Sequence, residues 1–450
     1  MKKMRALAHL ANLTGCSGKL IVPTKLISVQ KSSRQFMHLI PRIKFGKICV
    51  GAGLGIATVL NTLIPVAQAT PAPHPSKPHT VQLSAENSAV PQQASSQAEF
   101  LGDPVGYSLN GQHIVYRGED GHIYELWFDR NEWKQTNLTK AANAPLAAGN
   151  PTGYSLGSLH VVYRGNDNHI HELWFDGDQW KHTDLTLEAQ APPAAGEPVG
   201  YVLESQHVLY RSSDGHIHEL WFDADQWKHT NLTQEAQAPL AAGDPSGYSL
   251  GSLHVVYRGE DGHIHELWFA PDALNNKWRH EDLTEATKAP LAAGEPVGYV
   301  LKSLHVLYRG ADGQIHELWF DTKAFNKKWR HSNLTEAAKA PLAAGDPTGY
   351  SLGSLHVVYR GNDNQIHELW FDNKGFNQEW EYTNLTEEAK APPAAGDPSG
   401  YVLGSQHVVY RGEDGKIHEL WFDNKAFNQR WKYANLTEEV NAPASETGQN

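Results

Sequence analysis

The chain is nearly free of sulfur where it matters. Both cysteines, Cys16 and Cys49, and all three methionines lie within residues 1–69, and neither residue type occurs after that. Disulfides and thiolate metal sites are therefore excluded from everything downstream. The same first 69 residues lack acid: they hold ten Lys and Arg and no Asp or Glu. Removing them leaves 38 minus 10, or 28, basic residues against 50 acidic ones, a formal charge of −22. Nucleic acid and anionic membranes are poor partners for such a chain, because phosphate binding is built on clustered Lys and Arg. Stability has to come from packing.

The break at residue 69 reads as a processing boundary. Basic residues up to Lys47 precede an uncharged apolar run, ICVGAGLGIATVLNTLIPVAQA (48–69), which ends in Ala67-Gln68-Ala69. A positive segment, an apolar segment and small residues at a cleavage point are the parts of a secretory leader. An uncleaved anchor is the alternative, since about 20 apolar residues can span a bilayer. The glycines and Pro65 weaken a spanning helix and favour cleavage. The leader is long, and a start at Met37 in place of Met1 would give a shorter one. Residues 70–99, rich in Pro, Ser, Gln and Ala, read as a flexible tether. The expected organisation is a leader over 1–69, a tether over 70–99, a repeat region over 100–441 and a tail over 442–450, in an exported protein.

What is present is one sentence written seven times. Each phrase begins Pro-x-Gly-Tyr, at Pro104, Pro151, Pro198, Pro245, Pro296, Pro347 and Pro398. The spacing grows from 47 to 51 residues through a four-residue insertion, seen as NKGFNQEW (373–380) against GDQW (177–180). An insertion tolerated at one fixed point marks a surface hairpin.

Each phrase predicts four short strands, in the second case GYSLGS (153–158), LHVVYRG (159–165), HIHELWFD (169–176) and WKHTDLT (180–186). Asp-Gly fills the central turn in five phrases and Asp-Asn in two, and these residues tolerate positive φ in tight hairpins. The Pro-rich EAQAPPAAGEP (188–198) cannot continue a sheet and links to the next unit. Four strands every 40 to 50 residues is the arithmetic of a β-propeller blade. A solenoid would need atypical end repeats, whereas phrases one and seven resemble the interior ones. The expected fold is all-β, a closed seven-bladed propeller. Apolar residues such as Val161, Tyr163, Ile170, Leu173, Trp174 and Phe175 fall on both strand faces, as blades sandwiched between neighbours require.

Three chemistries compete for the residues that recur. His169-Ile170-His171 places two imidazoles on one strand face roughly 7 Å apart, within reach of one zinc ion. However, the first His becomes Gln314, Gln365 and Lys416 in later phrases and the second is Tyr124 in the first, so histidines bonding between strands or blades are favoured. The His before each Val-Tyr, from His113 to His407, reads the same way. A glycan hydrolase needs two carboxylates in different environments, and near-identical blades supply seven equivalent ones. No catalytic residue, metal or cofactor is called for, and the protein reads as a non-enzyme.

Repeated equivalent pockets suit multivalent binding, since weak sites on one rigid ring add avidity. Sugars are held by an aromatic face with charged hydrogen-bonders to hydroxyls. Every phrase carries that set: Arg117, Arg164, Arg211, Arg258, Arg309, Arg360 and Arg411; Glu125, Glu172, Glu219, Glu266, Glu317, Glu368 and Glu419; and two Trp. Of these, the first Trp of each phrase, such as Trp174, is expected to be packing. The candidates for sugar binding are the second: Trp133, Trp180, Trp227, Trp278, Trp329, Trp380 and Trp431.

At these residues the sequence resembles the fucose-binding β-propeller lectins of fungi and bacteria. VVYRGNDNHIHELWFDGDQW (161–180) matches that pattern at Tyr163, Ile170, Glu172, Asp176, Gly177 and Trp180, and the likeness covers 104–437. The resemblance implies a fucose pocket between blades, lined by Glu, Arg and Trp. Glu172 and Trp180 fit, Phe175 stands for the family's first Trp, and the family's Arg falls on Val161. That departure makes the resemblance bear on fold and lectin-like class more than on fucose. Glycans or glycoconjugates are thus the expected partners, with a fucose-like sugar among them. A structural scaffold that binds a protein through the propeller face is the alternative.

Asn-Leu-Thr recurs at Asn137, Asn231, Asn333, Asn384 and Asn435, the pattern of a glycan acceptor. Asp184 and Asp282 take the same place, so a short acceptor side chain at the strand end is the expected requirement.

Overall fold

The computed structural model describes residues 102–270, 277–323, 327–371, 379–424 and 429–440. The expected leader, the tether, the tail and most of each inserted hairpin lie outside them. Within them the chain forms seven sheets of four antiparallel strands, each sheet made of strands consecutive in sequence. The blades span 105–137, 152–184, 199–231, 246–282, 297–333, 348–384 and 399–435. The first strand of each blade lies beside the first strand of the next, and that of blade 7 lies beside that of blade 1. The expected seven-bladed β-propeller is the fold observed.

Blade 2 shows how the sequence builds a unit. Its strands are Thr152–Ser155, Leu159–Arg164, Ile170–Phe175 and Trp180–Asp184. The central turn needs a left-handed residue, and Asn168 supplies it at φ 64°, as Gly215 does at φ 80° in blade 3. The fourth strand is shorter than the sequence implies. It stops at Asp184, and Leu185–Glu188 forms one helical turn.

That turn explains the recurring Asn-Leu-Thr. The Asn or Asp caps the helix, as Asn231 Oδ1 does by accepting from the Gln234 N–H at 3.0 Å. The Leu is buried completely at all seven positions. The Thr hydroxyl accepts the N–H that opens the third strand, as from Ile170 to Thr186 at 2.8 Å. Each residue of the triplet satisfies or buries something, and the short acceptor expected at the strand end is this helix cap.

The core lies between blades. Val162, Ile170, Tyr154 and Leu185 of blade 2 pack on Val208, Tyr210 and Leu220 of blade 3. Val161, Tyr163 and Leu173 of the same blade pack the other way, on Val115, Ile123 and Leu138 of blade 1. Alternate residues along a strand thus serve opposite neighbours. Tyr163 also donates its hydroxyl to the Pro145 carbonyl in the preceding link at 2.8 Å, and the bond recurs through Tyr410 and Pro392. At the inner strands Gly153 lets the chain lie against the Tyr107 ring, where a Cβ would collide.

Around the axis the residues before the blades' first Pro form head-to-tail links. The Glu197 N–H donates to Asp244 at 2.9 Å, Glu295 to Asp346 at 2.9 Å and Asp346 to Asp397 at 3.0 Å. Arginines face these acids from the preceding blades. Arg211, Arg258, Arg309 and Arg360 pair with Asp244, Glu295, Asp346 and Asp397, and Arg411 of blade 7 pairs with Asp103 of blade 1, all at 3.2–3.6 Å.

Burial pushes several of these acids up. Glu197 rises to about 7, through desolvation first and Asp244 second, against the opposing Asn150 N–H, Arg164 and Arg117. Glu295 also rises to about 7.

Two outcomes follow from these contacts. Asn231→Ala removes a helix cap and should lower unfolding free energy by about 1 kcal/mol in denaturant titration. Glu197 binds its proton more tightly folded than unfolded, so its contribution is present below the ordinary carboxylate value and is lost as pH rises to about 7. Glu197→Gln should therefore raise Tm at pH 8, on the order of 2–4 °C, with the gap closing toward pH 4.5. A gap that does not change with pH would contradict this.

Candidate functional site

Strand alternation also decides which polar side chains meet. Glu172 lies opposite Val162 in the ladder, and so faces blade 3 together with His160 and Trp174, each two residues along its strand. Glu172 is only 3% exposed. Its Oε1 accepts from the Tyr154 hydroxyl at 2.9 Å and contacts His160 Nδ1 at 2.9 Å, while Ser158 Oγ meets His160 Nε2 at 2.9 Å. The Tyr–Glu–His set recurs in every blade, through Tyr107, Glu125 and His113 in the first and Tyr401, Glu419 and His407 in the last. Burial, and the Glu172 charge after it, hold the Tyr154 hydroxyl well above its usual range, so it stays a donor. Both bonds to the carboxylate fall on Oε1, which leaves Oε2 for a further donor.

Blade 3 supplies the opposite wall. Gln206 Nε2 reaches across to His160 Nδ1 at 2.9 Å. Trp227 and Phe222 stand beside it, their rings 5.5 Å apart. Together they enclose a cavity of about 850 Å³ lined by Glu172, His160, Trp174, Gln206, Phe222 and Trp227. Glu188, Glu204 and Asp225 sit exposed at its rim, and its lining includes no Lys or Arg. A second cavity of about 480 Å³ lies between blades 6 and 7, lined by the counterparts Glu368, His356, Trp370, Gln406, Phe422 and Trp431.

The candidates read from the sequence are distributed as follows. All seven glutamates are buried at 3–4% exposure, facing the next blade. Among the second tryptophans, Trp133, Trp180, Trp227 and Trp380 are half-buried, whereas Trp278, Trp329 and Trp431 are buried at 4–7%. The Trp that meets Glu172 is Trp227 of the next blade, and Trp180 packs toward blade 1.

Three assignments change. Trp174, expected to be packing, lines the cavity, because Glu172-Leu173-Trp174 puts it on the glutamate's face; its Nε1 donates to Thr183 Oγ1 at 3.2 Å. The arginines are not brought to these cavities, since Arg164 and its counterparts end their strands near the axis, facing the acidic ring. The residue that stands beside Glu172, where the resemblance called for an Arg, is His160; Val161 is fully buried against blade 1.

The histidines considered as metal ligands are bonded to one another and to aspartates. His171 Nδ1 lies 2.9 Å from His182 Nε2, and its Nε2 lies 3.0 Å from Asp167. His169 pairs with Asp184 at 2.8 Å. Burial and then the facing His171 push His182 below the usual imidazole range. In blades 5 and 6 the His–Asp pair is exchanged for an amide pair, Asn333 to Gln314 at 2.8 Å and Asn384 to Gln365 at 2.6 Å. The exchange keeps one hydrogen bond while replacing both members of that pair, which favours the bonding role, and His316 and His367 keep their aspartates. Among the described residues, two groups bring ligating atoms within 4.8 Å of one another: Asp167, His171 and Asp184, and Asp261, His263 and Asp282.

No protein-family profile and no curated protein matches the chain. Solved structures do. A lectin of Aleuria aurantia in complex with α-methyl-L-fucoside is 13% identical, covering 63% of this chain and 93% of its own, with a TM-score of 0.41. The lectin SapL1 in complex with α-methyl fucoside is 16% identical, covering 64% and 96%, with a TM-score of 0.42. A putative 6-phosphogluconolactonase from Bacteroides uniformis is 12% identical, covering 75% and 97%, with a TM-score of 0.46.

Proposed function

We propose that this chain is an exported, non-enzymatic carbohydrate-binding propeller that takes neutral sugars into clefts between blades. The observation that carries the reading is the cavity between blades 2 and 3, where two indoles, Trp174 and Trp227, flank a buried carboxylate held by a tyrosine and a histidine. Indole faces suit the C–H side of a pyranose, and a preorganised carboxylate accepts from hydroxyls without first being desolvated. Buried groups already fixed by two bonds lose little freedom when a ligand arrives. Repetition of the Tyr–Glu–His set around the ring supports multivalent binding, in which several weak sites act together.

The electrostatics favour a neutral ligand. Four acids and no Lys or Arg line the cavity between blades 2 and 3, so a carboxylated sugar would meet only like charge. The same surroundings give no pair of differentiated carboxylates across one bond, because Glu172 is committed to its Tyr and His while the other three acids stand at the exposed rim.

Trp227→Ala should weaken binding at this cavity about tenfold, roughly 1.4 kcal/mol, and Glu172→Gln should weaken it further, measured by isothermal titration with the best neutral glycan from an array. Tm should fall only modestly for Trp227→Ala, whose ring is half-buried at the edge of the cluster between blades 2 and 3. A large loss of Tm with unchanged affinity would identify these residues as glue between blades and favour the scaffold reading. On the same array, neutral glycans should bind and sialylated or uronic-acid glycans should not, with and without EDTA. Hydrolysis of aryl glycosides that disappeared in Glu172→Gln would overturn the non-enzymatic reading.

A further inference from the structure

Seven near-identical interfaces do not make seven equal pockets. The residue immediately before the recurring His differs between blades: it is Gln112, Gln206 and Gln406 in blades 1, 3 and 7, and Leu159, Leu253, Leu304 and Leu355 in blades 2, 4, 5 and 6. This position reaches back across the interface to the preceding blade, next to its Glu–His pair.

The two residue types do opposite things there. Each leucine joins the hydrophobic cluster between its blade and the one before: Leu159 with Tyr107 and Val115, Leu253 with Tyr201 and Leu209, Leu304 with Tyr248 and Val256, and Leu355 with Tyr299 and Leu307. The glutamines instead bond to the polar set. Gln206 reaches His160 at 2.9 Å, Gln406 reaches His356 at 3.0 Å, and Gln112 reaches His407 at 2.9 Å and Glu419 at 3.0 Å. In Gln206 and Gln406 the amide thus lies against the imidazole whose Nδ1 also faces the glutamate carboxylate, which puts a second polar group beside it.

The cavities at three interfaces follow the same division. Among the described residues, cavities at the 2/3 and 6/7 interfaces reach a buried Glu and are lined by Gln206 and Gln406. At the 1/2 interface a cavity of about 510 Å³ ends on Leu159, and Glu125 is not part of its lining. At the 1/2 interface the leucine thus stands between cleft and glutamate, whereas at 2/3 and 6/7 the glutamine forms a polar wall beside it.

We propose that the ring has three sugar sites, at the 7/1, 2/3 and 6/7 interfaces, and that Gln or Leu at this one position decides whether an interface binds. The inference rests on the carbohydrate-binding reading above and goes beyond it in assigning the valency and the residue that sets it. Two sites lie at adjacent interfaces and the third is two interfaces further on, so the ring presents its ligands from one side. A surface carrying clustered sugar chains fits that arrangement better than one offering widely separated ones.

The test counts bound sugars on the full chain by native mass spectrometry and titration calorimetry, with methyl α-L-fucoside, methyl α-D-mannoside and N-acetylglucosamine as neutral probes. The expected stoichiometry is three, falling to two in Gln206→Leu and to none in the Gln112→Leu, Gln206→Leu, Gln406→Leu triple variant. Leucine at this position is native to four interfaces, so these variants should fold, with Tm equal to or above that of the parent. Leu159→Gln should add a fourth site. A stoichiometry of seven, or a count that Gln206→Leu leaves unchanged, would overturn the selector role while leaving the sugar-binding reading intact. A well-folded chain that binds none of the three probes, nor any neutral glycan on an array, would overturn both.

Discussion

Every strand in the middle of a blade is buried on both faces by two different neighbours, and the rest of the molecule depends on that constraint. In an open antiparallel sheet one face meets water and the pattern alternates apolar with polar. Here Val161, Val162 and Tyr163 run consecutively with no exposure at all, the odd residues packed on blade 1 and the even one on blade 3. A polar residue within such a strand has no solvent face to turn to. Glu172 therefore ends up inside an interface, and it is stable there only because its own blade supplies Tyr154 and His160 as partners. The pocket chemistry follows from burial: a carboxylate in this place must be preorganised, and a preorganised carboxylate between blades can serve as an acceptor for a ligand.

The same constraint shapes the ends of the strands. Where a strand leaves the interface, its backbone groups need partners that no neighbouring strand provides. Thr186 answers the Ile170 N–H and Asp184 caps the helical turn that follows. Near the axis, successive acids accept N–H groups from the preceding blade while arginines face them. Desolvation pushes Glu197 and Glu295 of this ring, both partly exposed, up to about 7 against the pull of the arginines. The outer and inner edges thus meet the same need by different means, a cap-and-hydroxyl pair outside and N–H bonds to acids of the next blade inside.

Much of the architecture was legible in the sequence because repetition makes it so. Blade number, strand order, the left-handed turn at Asn168 and the burial of both strand faces all follow from periodicity and turn chemistry. The end of the fourth strand was missed by two residues, since Leu185 and Thr186 suit a strand as well as a helical first turn. The glutamates and Trp227 were found as site candidates, but Trp174 was set aside even though the period of two places it on the face of Glu172. The arginines misled because composition reports which residues recur and says nothing of which end of a strand they occupy. The roles of Asp103, Glu197 and Asp244 lie in a linking phrase that reads as a loop, and no local pattern reveals bonds made only between neighbouring blades. The Gln and Leu alternatives before the His were visible as letters, yet their meaning depends on which neighbouring blade they touch.

Closure brings these threads together. In this ring no strand of blade 1 joins the sheet of blade 7, since each sheet is built from consecutive strands. The seventh interface must therefore hold through side chains. It does so with the cluster of Ile114, Tyr116, Leu126, Tyr401, Val409, Ile417 and Leu436, with the Arg411–Asp103 pair, and with the Gly106 N–H on Ser399 Oγ at 3.3 Å. Gln112 adds bonds to His407 and Glu419 across the same seam. A leucine there would bury more apolar surface, yet the chain places a glutamine at the one interface where covalent continuity is absent. Polar bonds with fixed geometry specify register more sharply than apolar contact, which tolerates sliding. The residue type that lines the clefts at the 2/3 and 6/7 interfaces thus also bonds the first blade to the last.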